Sequence, residues 1–378
     1  MSLHGLILLT VLLWCRVAAA QSEATLKLET GKQVFEAACA GCHGMDGKGQ
    51  PVSTLGFEPP ATFPDFTDCN GSTRESTQQW SSVIHDGGKV RAFAPIMPSF
   101  GDASAPALTD QQIQNVIGHI RKFCTEDSHW PSGDFNFARP MFTEKSFPED
   151  ELVLMTTFNT NGQPGIVNNM IVEKRFGAIF NMETRFRGGF SKTAAGSWTG
   201  AVGDTSFEFK RSMWVHNKTG SMLAWGNEMI IPTGDPNRGS GGNGMFMLES
   251  FLSYGQILPK SSFLQAQVGV EAPPFHRHQN PMEVYWRTDI GKAFNQSRGF
   301  GRSWTLALET VGVRSLGPNN RLTVDLVPQM QVTLSKRQHM RLGMGYNVPT
   351  VNIGNRPQQF MFYLLWDTFD GGLKEGWK

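Results

Sequence analysis

Apolar and polar side chains alternate with a period of two over much of the chain beyond residue 150. Between Arg321 and Ser335 every even position is apolar, and every odd position except Val327 is polar. Residues 264–271, 282–290 and 340–348 repeat this alternation. A period of two places successive side chains on opposite faces of a β-strand. The pattern therefore predicts an all-β antiparallel region of about twelve strands, several of them about 10–15 residues long.

Strands of this length cross a bilayer when they are tilted. Apolar side chains would then face lipid, and the Gln, Glu, Arg and Gly positions would face a wet lumen. The region thus reads as a transmembrane β-barrel of the outer-membrane kind. The alternative is a soluble antiparallel β-sandwich, whose strands also alternate.

The preceding part of the chain has a helical period instead. The pattern predicts an amphipathic helix over residues 31–39. Apolar residues at positions 113, 116, 117 and 120 make a second helical stripe, and Thr109 and Gln112 stand before it at the spacing of a capping box. No period persists over residues 128–150, which we interpret as a linker. The predicted organisation is an all-α domain over 21–127, the linker 128–150, and the β domain over 151–378.

The first twenty residues are expected to be removed from the mature protein. Residues 6–14 are apolar, and the small residues 17–20 follow them. This run is too short to span a bilayer as a helix, so we interpret residues 1–20 as a signal peptide cleaved after Ala20. Export places the four remaining cysteines in an oxidising compartment.

Two of these cysteines belong to a C-x-x-C-H motif made by Cys39, Cys42 and His43. In this motif the two thiols attach haem covalently and the histidine is placed to ligate its iron; the alternative is a redox dithiol. Cys69 and Cys124 remain as an even pair. We predict a disulfide between them, with two buried free thiols as the alternative.

Residues 24–126 resemble a class I cytochrome c, through the N-terminal helix, the C-x-x-C-H motif, a Met-Pro-x-Phe loop at 97–100 and the C-terminal helix. The resemblance implies one covalent haem c with His43 and Met97 as axial ligands. It also implies that a proline carbonyl, from Pro60 or its neighbour Pro59, accepts a hydrogen bond from the His43 ring. Six aromatic residues are expected to wall the haem: Phe57, Phe63, Phe66, Trp80, Phe93 and Phe100.

The β domain also carries a resemblance. Its segments WTGAVGD (198–204), FK (209–210) and IPTGD (231–235) are similar to an outer-membrane barrel family of transporters linked to phenol-degradation gene clusters. The overall plan is similar to that of fused cytochrome–porin proteins. The combination implies electron transfer at the bacterial outer membrane, with the helical domain in the periplasm or at the barrel mouth.

Composition narrows the choice of partner. The chain has 34 Lys and Arg against 33 Asp and Glu, a net charge of +1, so no basic excess points to nucleic acid. The expected partners are a periplasmic or extracellular redox protein and outer-membrane lipid. We expect an electron carrier, and an oxidoreductase role such as metal oxidation stays open. The alternatives are a solute transporter with an accessory haem domain, or a soluble periplasmic cytochrome with a β-sandwich binding module.

Overall fold

The computed structural model describes residues 28–368, apart from 102–103, 105–106, 125–129, 239–241, 243, 276–280 and 295–302. The predicted signal peptide, residues 1–20, lies outside the described residues. None of the described helices is long and apolar enough to cross a membrane.

Residues 28–124 form a small helical domain, hereafter the helical domain. Its elements are α1 (Gly31–Val34), a π-helical turn (Phe35–Cys39), α2 (Ala40–His43), α3 (Val52–Leu55), α4 (Cys69–Ser72), α5 (Thr77–Asp86), a 3₁₀ turn (Gly88–Arg91) and α6 (Asp110–Ile120). The predicted capping box is present, since the Thr109 side chain accepts from Gln112 N and the Gln112 side chain accepts from Thr109 N. The predicted N-terminal helix extends through α1 and the π-helical turn into α2.

The core of the helical domain forms where α1 and the π-helical turn cross α6. Val34 and Phe35 pack there with the predicted apolar stripe of α6, whose members are all buried. A Cβ at Gly31 would stand 1.9 Å from the carbonyl oxygen of Asn115, so only glycine allows this close crossing. Burial of each large aliphatic side chain stabilises the domain by about 1.5–3 kcal/mol.

A disulfide connects α4 with the chain just beyond α6. The Sγ atoms of Cys69 and Cys124 are 2.02 Å apart and their Cα atoms 5.0 Å apart. This is the pair that the sequence predicts. It closes a loop with a sequence separation of 55 residues. Because this loop restricts the unfolded chain, the disulfide raises the free energy of unfolding by about 4 kcal/mol on a chain-entropy estimate.

The β domain is a closed antiparallel barrel, in which β1 pairs with β12 and every other strand pairs with its neighbours in sequence. The strands are β1 (Glu151–Asn159), β2 (Gly165–Phe176), β3 (Phe180–Lys192), β4 (Trp198–His216), β5 (Ser221–Ile231), β6 (Met247–Leu258), β7 (Ser262–Ala272), β8 (Glu283–Phe294), β9 (Trp304–Ser315), β10 (Leu322–Thr333), β11 (Met340–Val351) and β12 (Gln359–Asp367). The predicted twelve strands are confirmed. The sandwich alternative is wrong, because the β1–β12 pairing leaves the described sheet without an open edge.

The two faces of the barrel wall differ as the alternation predicts. Ile290 and Leu306 point outward and are more than half exposed, whereas Glu309 on the inner face is fully buried. Val327, the exception in the polar half of its strand, also faces inward. It packs with Met141 in an apolar cluster inside the barrel, which explains why this inward position is apolar.

The segment 133–150, hereafter the luminal segment, runs inside the barrel. The sequence predicts a connector here, and connectors are normally solvated. Phe135, Lys145 and Glu149 are instead at most 3% exposed. Phe137 stacks on Phe263 of β7, with ring centroids 4.9 Å apart. Residues of the inner wall supply the packing and hydrogen-bond partners that water would supply to a solvated connector.

We call the barrel end where β1 begins and β12 ends the near mouth, and the opposite end the far mouth. The luminal segment reaches β1 at the near mouth, where Glu151 pairs with Asp367. The helical domain also contacts the barrel at this end, as described below.

Candidate functional site

The C-x-x-C-H motif occupies one continuous helical stretch. Cys39 ends the π-helical turn and is buried, Cys42 lies in α2 and is exposed, and His43 is the last residue of α2. Both thiols are free. The helix therefore presents two unbridged thiols and an imidazole within five consecutive residues.

The His43 ring is enclosed by aromatic side chains. It stacks on Phe63 with ring centroids 5.0 Å apart and an interplanar angle of 12°, and its centroid is 4.9 Å from that of Phe66. Burial lowers the pKa of His43 to about 4. The imidazole is therefore neutral at physiological pH, which is the form that ligates a metal. Its Nδ1 atom is buried without a hydrogen-bond partner among the described residues.

Cys39 is held as a thiol by its surroundings. Burial, and then the charge of Cys42, raise the pKa of Cys39 to about 12. The thiolate is the nucleophilic form of cysteine. Attachment of a group to Cys39 therefore requires that the pocket be open or that the thiol react as the protonated species.

Met97 lies on a loop that reaches the same core. Its side chain is half-buried and packs against the core formed by α1 and α6. The loop is positioned by Gly88, whose N–H donates to the Met97 carbonyl at 3.1 Å. Gly87 has a φ of +80°, and a Cβ there would stand 3.0 Å from the Met97 carbonyl oxygen. Glycine is thus required next to this loop on two counts.

The carbonyl of Pro60 accepts a hydrogen bond from Phe63 N at 2.8 Å. A carbonyl oxygen has two lone pairs, so this bond leaves it able to accept a second donor. His43 Nδ1 is not bonded to it in this structure. The predicted contact between Pro60 and the His43 ring therefore stays a prediction.

The donor set fits a covalent haem. Such a haem requires two free thiols three residues apart, a neutral imidazole next to them and a thioether on the same apolar core, and all of these are present. The Nδ1 atom of His43 has no hydrogen-bond partner among the described residues, and it would need an acceptor such as the Pro60 carbonyl.

Most of the aromatic residues expected around the haem lie in this core. Phe63 and Phe66 contact His43, and Trp80 contacts Phe66 with ring centroids 5.7 Å apart. Phe93 does not. The guanidinium groups of Arg91 and Arg337 lie over its ring, 5.6 and 4.9 Å from the ring centroid. Phe93 is therefore part of the contact between the helical domain and the barrel.

At this contact the side chains of Arg91 and Arg337 each donate a hydrogen bond to a backbone carbonyl in the segment that holds the other arginine. Arg91 donates to the Arg337 carbonyl at 2.6 Å, and Arg337 donates to the Ala92 carbonyl at 3.1 Å. Arg91 also pairs with Glu75 at 2.8 Å and is 2% exposed. The ion pair with Glu75 offsets part of the cost of burying the Arg91 charge.

A second set of bonds ties the helical domain to the luminal segment. The carboxylate of Asp134 accepts from the backbone N–H and from the hydroxyl of Thr77, both at 2.7 Å. Arg74 pairs with Asp150 at 2.9 Å. A cavity of about 470 Å³ lies between the helical domain, the luminal segment and the near mouth, and both Arg74 and Arg337 line it.

The periodic patterns of the sequence mark neither the residues of this contact nor the burial of the luminal segment. One signal was available in the linker itself. Phe135, Phe137 and Phe147 fall within fifteen residues that also hold Arg139 and Lys145. Such a density of large apolar side chains is unusual for a solvated connector and indicates burial.

Comparison with known proteins identifies the helical domain. Residues 28–123 match the family model of cytochrome c. The search of curated proteins gives no match.

Several solved barrels are similar to the chain. An outer membrane channel from Pseudomonas putida F1 has 12% identity and a TM-score of 0.43, over 61% of this chain and 99% of that one. The NanC porin has 7% identity and a TM-score of 0.39, over 57% and 97% of the two chains. The KdgM porin in complex with disordered oligogalacturonate has 9% identity and a TM-score of 0.37, over 57% and 98%.

The family match covers the domain that carries Cys39, Cys42 and His43, and a cytochrome c domain binds haem covalently. The remaining strands close on themselves. The chain is therefore a fusion of a cytochrome c domain with a closed, twelve-stranded antiparallel β-barrel.

Proposed function

We propose that this protein is a monohaem c-type cytochrome that transfers electrons at the bacterial outer membrane. Cys39 and Cys42 attach the haem, and His43 and Met97 ligate its iron. The observation that carries the proposal is the direct seating of the haem-binding domain on the near mouth, through the reciprocal bonds of Arg91 and Arg337. The barrel fixes the electron carrier at the membrane surface.

The near mouth is assigned to the periplasm. In outer-membrane barrels short turns face the periplasm and longer loops face outward. The near-mouth connections 177–179, 217–220, 259–261, 295–303 and 334–339 are on average shorter than those at the far mouth, which are 160–164, 193–197, 232–246, 273–282, 316–321 and 352–358. The helical domain then meets periplasmic redox proteins.

The barrel serves as an anchor in the described state. Its outward face is rich in exposed apolar side chains such as Ile290, Leu306 and Leu308, as a lipid-facing wall requires. Its interior is occupied by the luminal segment, which includes the buried Phe135 and Lys145. This filling favours anchoring over the passage of an organic solute.

The haem, when bound, accepts and returns one electron. The surrounding residues tune this exchange. The aromatic cage of Phe63 and Phe66 keeps the His43 imidazole neutral and excludes water from it. The thioether of Met97 favours the reduced iron and raises the potential. The carbonyl of Pro60 would fix the imidazole orientation through Nδ1.

The first test is expression with haem-maturation machinery, followed by isolation of outer membranes. That fraction is run unboiled and boiled on one gel and stained for haem peroxidase activity. We expect a haem-positive band whose mobility shifts on boiling, because a folded barrel and a covalent haem would then belong to one chain. A haem-positive band confined to the soluble periplasm would contradict the proposal.

A further inference from the structure

Seven glutamates on adjacent strands occupy directly paired positions and lie side by side along the barrel wall. Glu173 of β2 is directly opposite Glu183 of β3, which is opposite Glu208 of β4. The pairing continues strand by strand as far as β8. The complete row, hereafter the glutamate row, is Glu173, Glu183, Glu208, Glu228, Glu249, Glu271 and Glu283.

The glutamate row climbs from one mouth of the barrel to the other. Glu173 lies three residues before the near-mouth end of β2 at Phe176, whereas Glu283 is the first residue of β8 at the far mouth. Six interstrand steps of about 4.8 Å make a path of roughly 29 Å around and up the wall, of which roughly 19 Å is rise along the barrel axis when the strands are tilted by about 40°. This rise covers most of the lipid-facing band of an outer-membrane barrel, which is about 25 Å tall.

Such a row costs stability. Like charges directly opposite each other on neighbouring strands are destabilising. The first five members of the row are also at most 7% exposed, so their charges are largely removed from water. The barrel fold itself does not require this arrangement, since glutamine would keep the polar inner face.

Cations already sit on the near-mouth half of the row. Arg139 of the luminal segment lies 2.5 Å from Glu173 and 3.6 Å from Glu183. Arg185 of the wall lies 2.7 Å from Glu183. The guanidinium of Arg139 is thus a tethered cation bound to two successive members of the row.

The rest of the row has weaker compensation from cations, although the Tyr285 hydroxyl donates a hydrogen bond to Glu249. Glu208 is 2% exposed, neither of its carboxylate oxygens accepts a hydrogen bond from any described residue, and its ion pair with Lys210 is 3.8 Å long. No described basic side chain forms an ion pair with the four members that follow. These members are Glu228, Glu249, Glu271 and Glu283.

The luminal segment is also held in place by Glu309 of β9, an acidic side chain outside the glutamate row. The carboxylate of Glu309 accepts from the backbone N–H groups of Met141 at 3.0 Å, Phe142 at 3.1 Å and Thr143 at 2.6 Å. Charge-assisted bonds of this kind are about twice as strong as neutral ones. Glu309 and the Arg139 pairs therefore fix the same short stretch from two sides.

We infer that the glutamate row makes this barrel a cation-selective pore, and that the luminal segment closes it with Arg139 as the tethered counter-ion. Rows of acidic side chains in a narrow lumen concentrate cations and exclude anions. The ions expected are small inorganic cations such as K⁺. The inference needs the inserted barrel but not the haem chemistry.

The test is ion conduction by the full-length holoprotein in planar bilayers of KCl. We expect the wild type to be closed almost all the time. Arg139→Gln removes the tethered cation and should raise the open probability at least tenfold. Arg356→Gln is the matched control, because Arg356 pairs with Asp325 at 2.5 Å near the far mouth and does not contact the luminal segment. It should leave the pore closed.

Selectivity is measured in the Arg139→Gln background under a KCl gradient. We expect K⁺ to permeate at least tenfold better than Cl⁻, and Glu228→Gln with Glu249→Gln to reduce that ratio several-fold. Glu29→Gln with Glu58→Gln removes the same charge from exposed positions of the helical domain and should not change the ratio.

Three results would overturn the inference: a wild type that conducts freely, an Arg139→Gln variant that stays closed, or an open variant with no preference for K⁺. The heat-shift gel establishes insertion of each variant first, so a failure to insert is separate from a failure to conduct. If Arg139→Gln does not insert, Glu309→Gln weakens the other attachment of the luminal segment and should open the same pore.

Discussion

Arg91 of the helical domain and Arg337 of the β10–β11 turn are linked by reciprocal hydrogen bonds, each guanidinium donating to a carbonyl of the opposite chain segment. Both groups lie over the ring of Phe93. Two like charges converge here because each has its own acceptors and both contact the same aromatic ring. The haem-binding domain is thereby attached to a fixed point of the barrel rim.

Replacement of Arg337 by Gln should loosen this attachment. The change removes the bond to the Ala92 carbonyl and one cation–π contact, which together contribute about 1–3 kcal/mol. We expect the amide of Phe93, which donates to the Gly88 carbonyl, to lose roughly ten- to hundredfold of its hydrogen-exchange protection. Arg314→Gln, at the opposite mouth next to Asn320, is the control. Unchanged protection in Arg337→Gln would show that the domain is held by other contacts.

Met97→His should lower the midpoint potential of the haem. A second imidazole in place of the thioether removes the ligand that favours reduced iron. The expected decrease is on the order of a few hundred mV, within the roughly 0.8 V range over which axial ligands act. Redox potentiometry of the purified holoprotein measures it. Met45→His, at an exposed site, is the control and should keep the wild-type potential. An unaltered potential in Met97→His would mean that another residue ligates the iron.

Loss of the disulfide should destabilise the helical domain. Cys69→Ser with Cys124→Ser opens the cross-link and restores chain entropy to the unfolded state, an effect of about 4 kcal/mol. Denaturant titration followed by haem absorbance gives the change in free energy of unfolding. We expect a lower midpoint with intact haem attachment, since Cys39 and Cys42 are untouched. A midpoint equal to that of the wild type would argue that the unfolded chain is already constrained by the haem.

Acid should weaken the contact between the helical domain and the near mouth by protonating His339. Burial lowers the pKa of His339 to about 4 from its ordinary 6.5, although nearby Glu75 opposes the shift; Arg91, Arg341 and Arg337 reinforce it. When the helical domain has left the near mouth, His339 binds a proton below pH 6.5. When the domain is in contact with the near mouth, His339 is not protonated until the pH falls to about 4. Seating is therefore fully stable above pH 6.5 and weakens as the pH falls towards 4, by about 2 kcal/mol at pH 5.

Hydrogen exchange of the 334–339 turn tests this dependence, with protection factors corrected for the intrinsic effect of pH. In His339→Gln the additional loss of protection between pH 7 and pH 5 should disappear, because glutamine does not titrate. The same pH dependence in both proteins would assign it to another group.

The sequence by itself determined the covalent chemistry and the class of each domain. Cys39, Cys42 and His43 are adjacent in the chain, so their joint role needs no folding information. The helical stripe of α6 and the alternation of the strands are also local, because a period fixes which side chains share a face. The number of strands follows the same pattern, with Val327 as a local exception that the apolar luminal cluster explains. Closure of the barrel is decided by the pairing of β1 with β12, which are distant in sequence.

Only the tertiary structure decided which distant residues meet. Arg91 and Arg337 are 246 positions apart, and neither belongs to a pattern that marks a partner. The luminal segment has no period because its partners lie on many different strands, so its burial is invisible to any local signal except its aromatic content. The glutamate row is likewise non-local. Its seven members fall on separate strands, and only the register between those strands places each one opposite the next.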